Sequence, residues 1–283
     1  MSGYMEAMLV LLAINTILAY SASLPLSTGQ LNLGIAGFMA IGAYVSAYLT
    51  NEMAFSLWLA LPAGGVVAAA IAIAIGLPIL RTHGIYLALA TFSLGEIIKT
   101  VFLNLEVVGG ASGYPVAEYM ESTTVWAIAI AVFGFMFLLS QSRFSLYLTA
   151  IKNDPTVADL FGLNVKRLQL SSIAIGSFLA AIAGGAYAHQ FSYVEAQYFS
   201  ALLNIYIVLF VILGGVQTVY GPLIGAVYFT FLPEVLRFSE EWRFVVFAAF
   251  IIFFMAWRSE GIVTSSSIRK LRRFFTRREP VRW

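Results

Sequence analysis

Apolar stretches of near-constant length recur along this chain, separated by short polar interruptions, and their length is the first thing to interpret. A bilayer's hydrocarbon core is crossed by about 20 consecutive apolar residues in a helix, which predicts about eight or nine spans here. They fall at residues 5–24, 30–50, 57–80, 84–104, 124–141, 170–190, 200–216, 219–236 and 242–258. The expected class is an all-α polytopic membrane protein, a single transmembrane unit over residues 1–283. Gly29, Gly34, Gly37 and Gly42 thin the second segment, and Gly214, Gly215, Gly221 and Pro222 interrupt the seventh and eighth. Either region is expected to hold a broken or re-entrant helix, because non-helical backbone at membrane depth needs protein or water to satisfy it.

Two patterns sit on top of this rhythm. Small residues recur every fourth position in the third span (Ala60, Gly64, Ala68, Ala72, Gly76). They do so twice in the sixth, as Gly176, Ala180, Gly184 and as Ser177, Ala181, Gly185. Such ridges let helix backbones approach within van der Waals range, so they are assigned to packing. The fourth span instead carries a polar stripe, Thr82, Tyr86, Ser93, Glu96, Thr100 and Asn104, at helical spacing on one face. Glu96 and Lys99, three apart, can pair. An ionisable group at depth costs about 2.5–3.5 kcal/mol on insertion scales, which favours a functional role. A pair that only locks helices together is the other reading.

Between the fifth and sixth spans lies a charged, helix-forming insert, SRFSLYLTAIKNDPTVADLFGLNVKRLQ, residues 142–169. Long ordered inserts between spans tend to carry function. It reads as a docking handle for a partner outside the membrane, or else as an ordinary amphipathic surface helix. Asp154 and Pro155 can start a helix there, Val157, Leu160 and Phe161 offer an apolar face, and Gly162 can end it.

Composition agrees with the spans: 60% of residues are hydrophobic, 11% charged, and the mean hydropathy is +0.88. Soluble domains carry roughly 25% charged residues. There is no cysteine, and His83 and His189 stand apart, so thiol chemistry and a metal-ligand cluster are not expected. The first apolar run has no basic leader before it and is expected to be a retained span. Positive charge marks the cytoplasmic side. With nine spans, only Lys99, Arg237 and Arg243 of the 16 basic residues fall on the opposite side, which predicts an N-terminus outside and a C-terminus inside. The basic tail, residues 258–283, reads as a topology anchor or as a surface for anionic lipid or a partner. No nucleic-acid role follows from a net charge of +2. None of the four lysines follows a glycine, so the GxxxxGK[ST] phosphate loop is missing; HExxH and GxSxG are missing too. An enzyme is not expected. A secondary transporter or channel normally shows several intramembrane ionisable groups, and only Glu96 and Lys99 qualify.

Six blocks together carry a resemblance. They are GQLNLGIAGFMAIGAY (29–44), LRTHGIYLALATFSLGEI (80–97), GGASG (109–113), the insert at 142–165, AGGAYAH (183–189) and VILGGVQTVYGPLIGA (211–226). In this order they resemble the branched-chain amino-acid ABC-transporter permeases of the LivM and LivH type, with the LivM type more similar. Urea and short-amide permeases share the blocks and remain an alternative for the cargo. The resemblance implies an importer in the cell membrane. Two homologous permease chains form the path, two cytoplasmic ATPase subunits bind the ATP, and an extracytoplasmic binding protein delivers the amino acid. This chain would then hold no cofactor. The insert becomes a coupling loop in which Ala150, Ile151, Asn153, Asp154, Ala158, Asp159, Gly162 and Leu163 match the part that faces the ATPase. For the path, the glycine breaks and the polar stripe are the candidates. Gln30 and Asn32 follow Gly29 where exposed backbone and a half-helix dipole can meet a zwitterion. Gln217 and Tyr220 occupy a comparable break, and Tyr86, Ser93, Glu96 and Thr100 complete the set.

Overall fold

The computed structural model describes residues 3–235, so the expected span at 242–258 and the tail at 258–283 lie outside the described residues. Ten α-helices occupy the described residues: α1 (Gly3–Leu26), α2 (Ile35–Met53), α3 (Leu57–Ile79), α4 (Ile85–Asn104), α5 (Ser122–Gln141), α6 (Arg143–Asn153), α7 (Pro155–Leu160), α8 (Val165–Phe191), α9 (Ala201–Gly214) and α10 (Tyr220–Val235). Five of them, α1, α3, α4, α5 and α8, are long and apolar enough to cross a membrane, while α9 and α10 are shorter apolar helices. The chain is a multi-pass membrane protein.

α1 is the hub. Ala13, Ile17, Leu18 and Ala19 are all fully buried, so beyond its exposed first five residues the helix is covered on every side, as a helix apolar all round should be. It packs against α5, α8, α9 and α10, and Pro25 in its last turn prepares its end. α8 is the second hub, touching α1, α2 and α3. Its two small-residue ridges serve different neighbours. Gly176 lies under Ser21 and Pro25 of α1, and a side chain at Gly184 would run into the Met39 carbonyl of α2. Gly185 of the second ridge faces Leu61 of α3 and Ser46 of α2. On α3 the expected ridge, Ala60, Gly64, Ala68, Ala72 and Gly76, is part of the buried face, while Trp58, Leu59, Val66 and Leu77 point away from the bundle. α5 buries a narrow stripe, Val125, Ala129, Val132 and Met136, against the hub.

Both glycine-rich regions are broken. The second expected span (30–50) becomes a non-helical run at 27–34 followed by α2, which starts only at Ile35. The seventh and eighth become α9 and α10, joined at 215–219, where Gly215 adopts a left-handed φ of 110°. At 1.5 Å per residue, the 14 residues of α9 span about 21 Å. The paired helices meet closely because Gly214, Gly221 and Gly225 carry no side chain where their backbones touch.

At one end of the bundle, the loop after α4 is stapled to the loop after α8. A two-residue strand β1 (Tyr114–Pro115) pairs antiparallel with β2 (Tyr193–Val194). Gly113 adopts φ 78°, and a side chain there would clash with Tyr193. Asn51 of α2 clamps the same loop, donating to the Pro115 carbonyl at 2.7 Å and accepting from Ala117 N–H at 3.0 Å. His189, fully buried in α8, donates from Nδ1 to the Glu118 carbonyl at 2.9 Å.

Candidate functional site

The expected path residues do not converge on one spot; the fold distributes them over three, and the insert is a fourth place. The first is the break before α2. Gly34 lies against Thr91 and Gly95 of α4, near the middle of that 20-residue helix, so the amino end of α2 sits at mid-depth in the bundle. Backbone donors stranded there need acceptors, and side chains provide them. Thr91 Oγ1 accepts from Leu33 N–H at 3.0 Å, Asn32 Oδ1 from Gly34 N–H at 2.9 Å, and Asn204 Oδ1 of α9 from Ala36 N–H at 2.7 Å. Asn32 therefore works within the break. Gln30 is buried beside it, its Oε1 3.2 Å from the Thr28 hydroxyl. Thr91 and Asn204 belong to this site although the residue pattern did not single them out. Asn204 had a readable signal, as the one amide in the apolar run ALLNIYIVLF.

The second place is α4. Its inner face is Leu87, Ala88, Thr91, Leu94, Gly95 and Ile98. The polar stripe lies on the opposite side and points away from the rest of the chain. Tyr86 is 71% exposed, and Ser93, Thr100 and Asn104 are exposed; Thr82, expected on the same helix, lies instead in the turn before it, half-buried and donating to the Ile79 carbonyl at 2.7 Å, because α4 starts only at Ile85. Glu96 and Lys99 form an ion pair, with side chains 30% and 19% exposed. The pair occupies one carboxylate oxygen, while Glu96 Oε1 is buried without a partner among the described residues. A path along this stripe is therefore not enclosed by the described residues, and needs a second wall.

The third place is a cavity of about 420 Å³ between the end of α1, the α5–α6 corner and the α9–α10 turn. Gln217 lines it, and Tyr220, which contacts Phe133 of α5, stands beside it. Tyr20 of α1 holds the turn by donating to the Val219 carbonyl at 2.9 Å. The remaining lining includes Lys152 and Asn153, so this path candidate adjoins the insert between α5 and α8.

The insert itself is two helices meeting at one residue. α6 ends at Asn153, and Asp154 opens α7, its Oδ1 accepting from Thr156 N–H at 2.8 Å and Val157 N–H at 3.1 Å, with Pro155 at the first helical position. This is the start expected from the residue types. The end matches as well: Gly162 adopts φ 82° with open space where a side chain would be. Ile151 and Ala158 are buried and fix the insert to the bundle, whereas Ala150, Asn153, Asp154 and Asp159 are exposed and Leu163 is half-buried. Leu160 and Phe161, each 83% exposed, stand out into solvent beside Val157. No group of three or more metal-binding side chains occurs among the described residues.

The model of the family described as branched-chain amino acid transport system permease component matches residues 4–255 of this chain. The LivM permease protein of the high-affinity branched-chain amino acid transport system of Escherichia coli is 27% identical over 272 residues, covering 83% of this chain and 64% of that protein. The LivM protein of Salmonella typhimurium matches with the same values. The LivH permease protein of the Escherichia coli system is 24% identical over 202 residues, covering 70% of this chain and 64% of that protein. The chain thus spans 64% of the length of these relatives. No solved structure matches it.

Proposed function

Because the chain belongs to the family of branched-chain amino acid transport permeases, we propose that it is one membrane-spanning half of an ATP-driven importer for branched-chain, hydrophobic amino acids. Two separate cytoplasmic ATPase subunits bind the ATP and drive it, and an extracytoplasmic binding protein feeds it. The observation that carries this reading is α7, a short helix capped at both ends that presents Leu160 and Phe161 to solvent. Two large apolar side chains at that exposure are unfavourable in water and suit a hydrophobic groove on a partner. Asp154 and Asp159 flank them and set register against that partner. In this arrangement α7 lies on the cytoplasmic side, with the N-terminus outside and the C-terminus inside.

The outward stripe on α4 supports a second homologous permease chain as the other wall of the path. Tyr86, Ser93, Glu96 and Thr100 would meet the cargo or its water between the two chains, where the unpartnered Glu96 oxygen finds its hydrogen bond. Gln30 and Asn32 hold the break behind that wall, and Gln217 and Tyr220 stand where cargo leaves. Purification of the complex from its native membrane tests both parts. An ATPase subunit is expected to accompany the tagged chain and to be lost with Asp154→Lys and Asp159→Lys. Glu96→Gln, by contrast, should lower leucine uptake while assembly persists. No associated ATPase in mild detergent would refute the importer, and uptake of urea or a short amide in place of leucine would reassign the cargo.

A further inference from the structure

The cavity bounded by α1, the α5–α6 corner and the α9–α10 turn offers three kinds of surface, and together they match one class of molecule. The first is a set of hydroxyl oxygens. Ser23, Ser27, Ser140 and Thr149 donate to the carbonyls of Tyr20, Ser23, Phe137 and Ser145 at 2.8, 2.7, 2.6 and 3.0 Å. With their protons committed to the helices, what they turn to the cavity is lone pairs, which accept from an ammonium group. The second is positive charge. Lys152 lines the cavity, no carboxylate does, and no ion pair of Lys152 occurs among the described residues. Its stem passes Gly29, where a side chain would lie 3.8 Å from its Cα and Cγ. The third is apolar, from Leu24, Met136, Leu139, Phe144 and Leu148. A volume of about 420 Å³ lies in the range of small-ligand sites.

We infer that this cavity binds an apolar α-amino acid and that its occupancy slows transport, an inhibition by accumulated cargo. Lys152 receives the carboxylate, the hydroxyl oxygens receive the ammonium, and the apolar wall covers the side chain. The inference rests on the importer reading above and adds its regulation. No residue of α2, α3 or α4 lines the cavity, so the site is separate from the α4 stripe.

Its leverage follows from connectivity. α6 is joined to α7 through Asp154 alone, so whatever fixes α6 fixes the docking helix. A ligand bridging Thr149 and Lys152 on α6, Gln217 at the turn and Ser27, which follows α1 and bonds back to its Ser23 carbonyl, ties the docking helix to the hub. It favours whichever arrangement of these elements closes the cavity, and it acts only to the extent that it binds that arrangement better than the open one.

The test uses the complete complex in lipid vesicles, with ATP inside and the binding protein outside, and follows labelled leucine entering vesicles that are empty or preloaded with millimolar unlabelled leucine. Preloading should lower the initial rate several-fold for the unaltered protein. Lys152→Gln and, on the facing wall, Ser27→Val should lose the inhibition, read for each variant as the ratio of its rates into preloaded and empty vesicles. Saturable binding of leucine to the complex without its binding protein, lost in both variants, is the accompanying readout, and it decides the matter if either variant transports poorly. Insensitivity of the unaltered protein to preloading, or inhibition and binding retained in both variants, overturns the site. No leucine entry into empty vesicles by the unaltered complex is a different result, and it overturns the importer reading instead.

Discussion

Single side chains carry the interior of this bundle where helices stop inside the membrane. Asn204 is 1% exposed and spends its carbonyl oxygen on the Ala36 N–H. Replacing it with leucine leaves that donor buried without an acceptor, a loss of about 1–3 kcal/mol. The expected outcome is a lower melting temperature in detergent, with the complex still forming at low temperature; an unchanged melting temperature would mean that water takes over the bond. This role was only partly legible. A lone amide in an apolar run announces that something polar lies opposite it, but not what. The partner, Ala36, is 168 positions away. Gln30 and Asn32 were correctly placed at a break, yet the pattern could not tell that Asn32 would serve the backbone of its own segment.

Among the elements, the ridges of small residues and the caps of α7 were readable because both are local. A fourfold spacing places residues on one face whatever packs there, and a capping aspartate bonds within three residues of itself. Gly184→Ala adds a methyl against the Met39 carbonyl, a backbone atom with no freedom to withdraw. Overpacking of this kind costs about 1–3 kcal/mol, so membrane yield and melting temperature should fall. Gly134→Ala on α5, with nothing within 4 Å of the new methyl, should instead be neutral or stabilising by up to about 1 kcal/mol, since alanine is the better helix former. Equal losses in the two variants would show that the ridge is not what limits packing. The α4 stripe marks where local reading ends. Its periodicity identified a face, but a face has a meaning only through its neighbour, and α4 turns that face away from its own chain. The cavity was illegible for a related reason: it is assembled from residues near 24, 149 and 217, distant positions that no spacing rule connects.

For the whole molecule, the helix α2 that begins at mid-depth carries a further implication, about electrical leak. The amino end of a helix bears about half a positive elementary charge, and in the poorly polarisable middle of a membrane such a charge reaches further than it would in water. A zwitterion bears no net charge and crosses that field with little net work. A sodium ion or a hydronium is repelled, much as half-helix ends exclude cations from some water channels. If the proposed import holds, ion gradients stay intact through each turnover. Vesicles containing the cycling complex should therefore hold a potassium diffusion potential as long as vesicles without it, and a potential that collapses in step with turnover would refute the barrier.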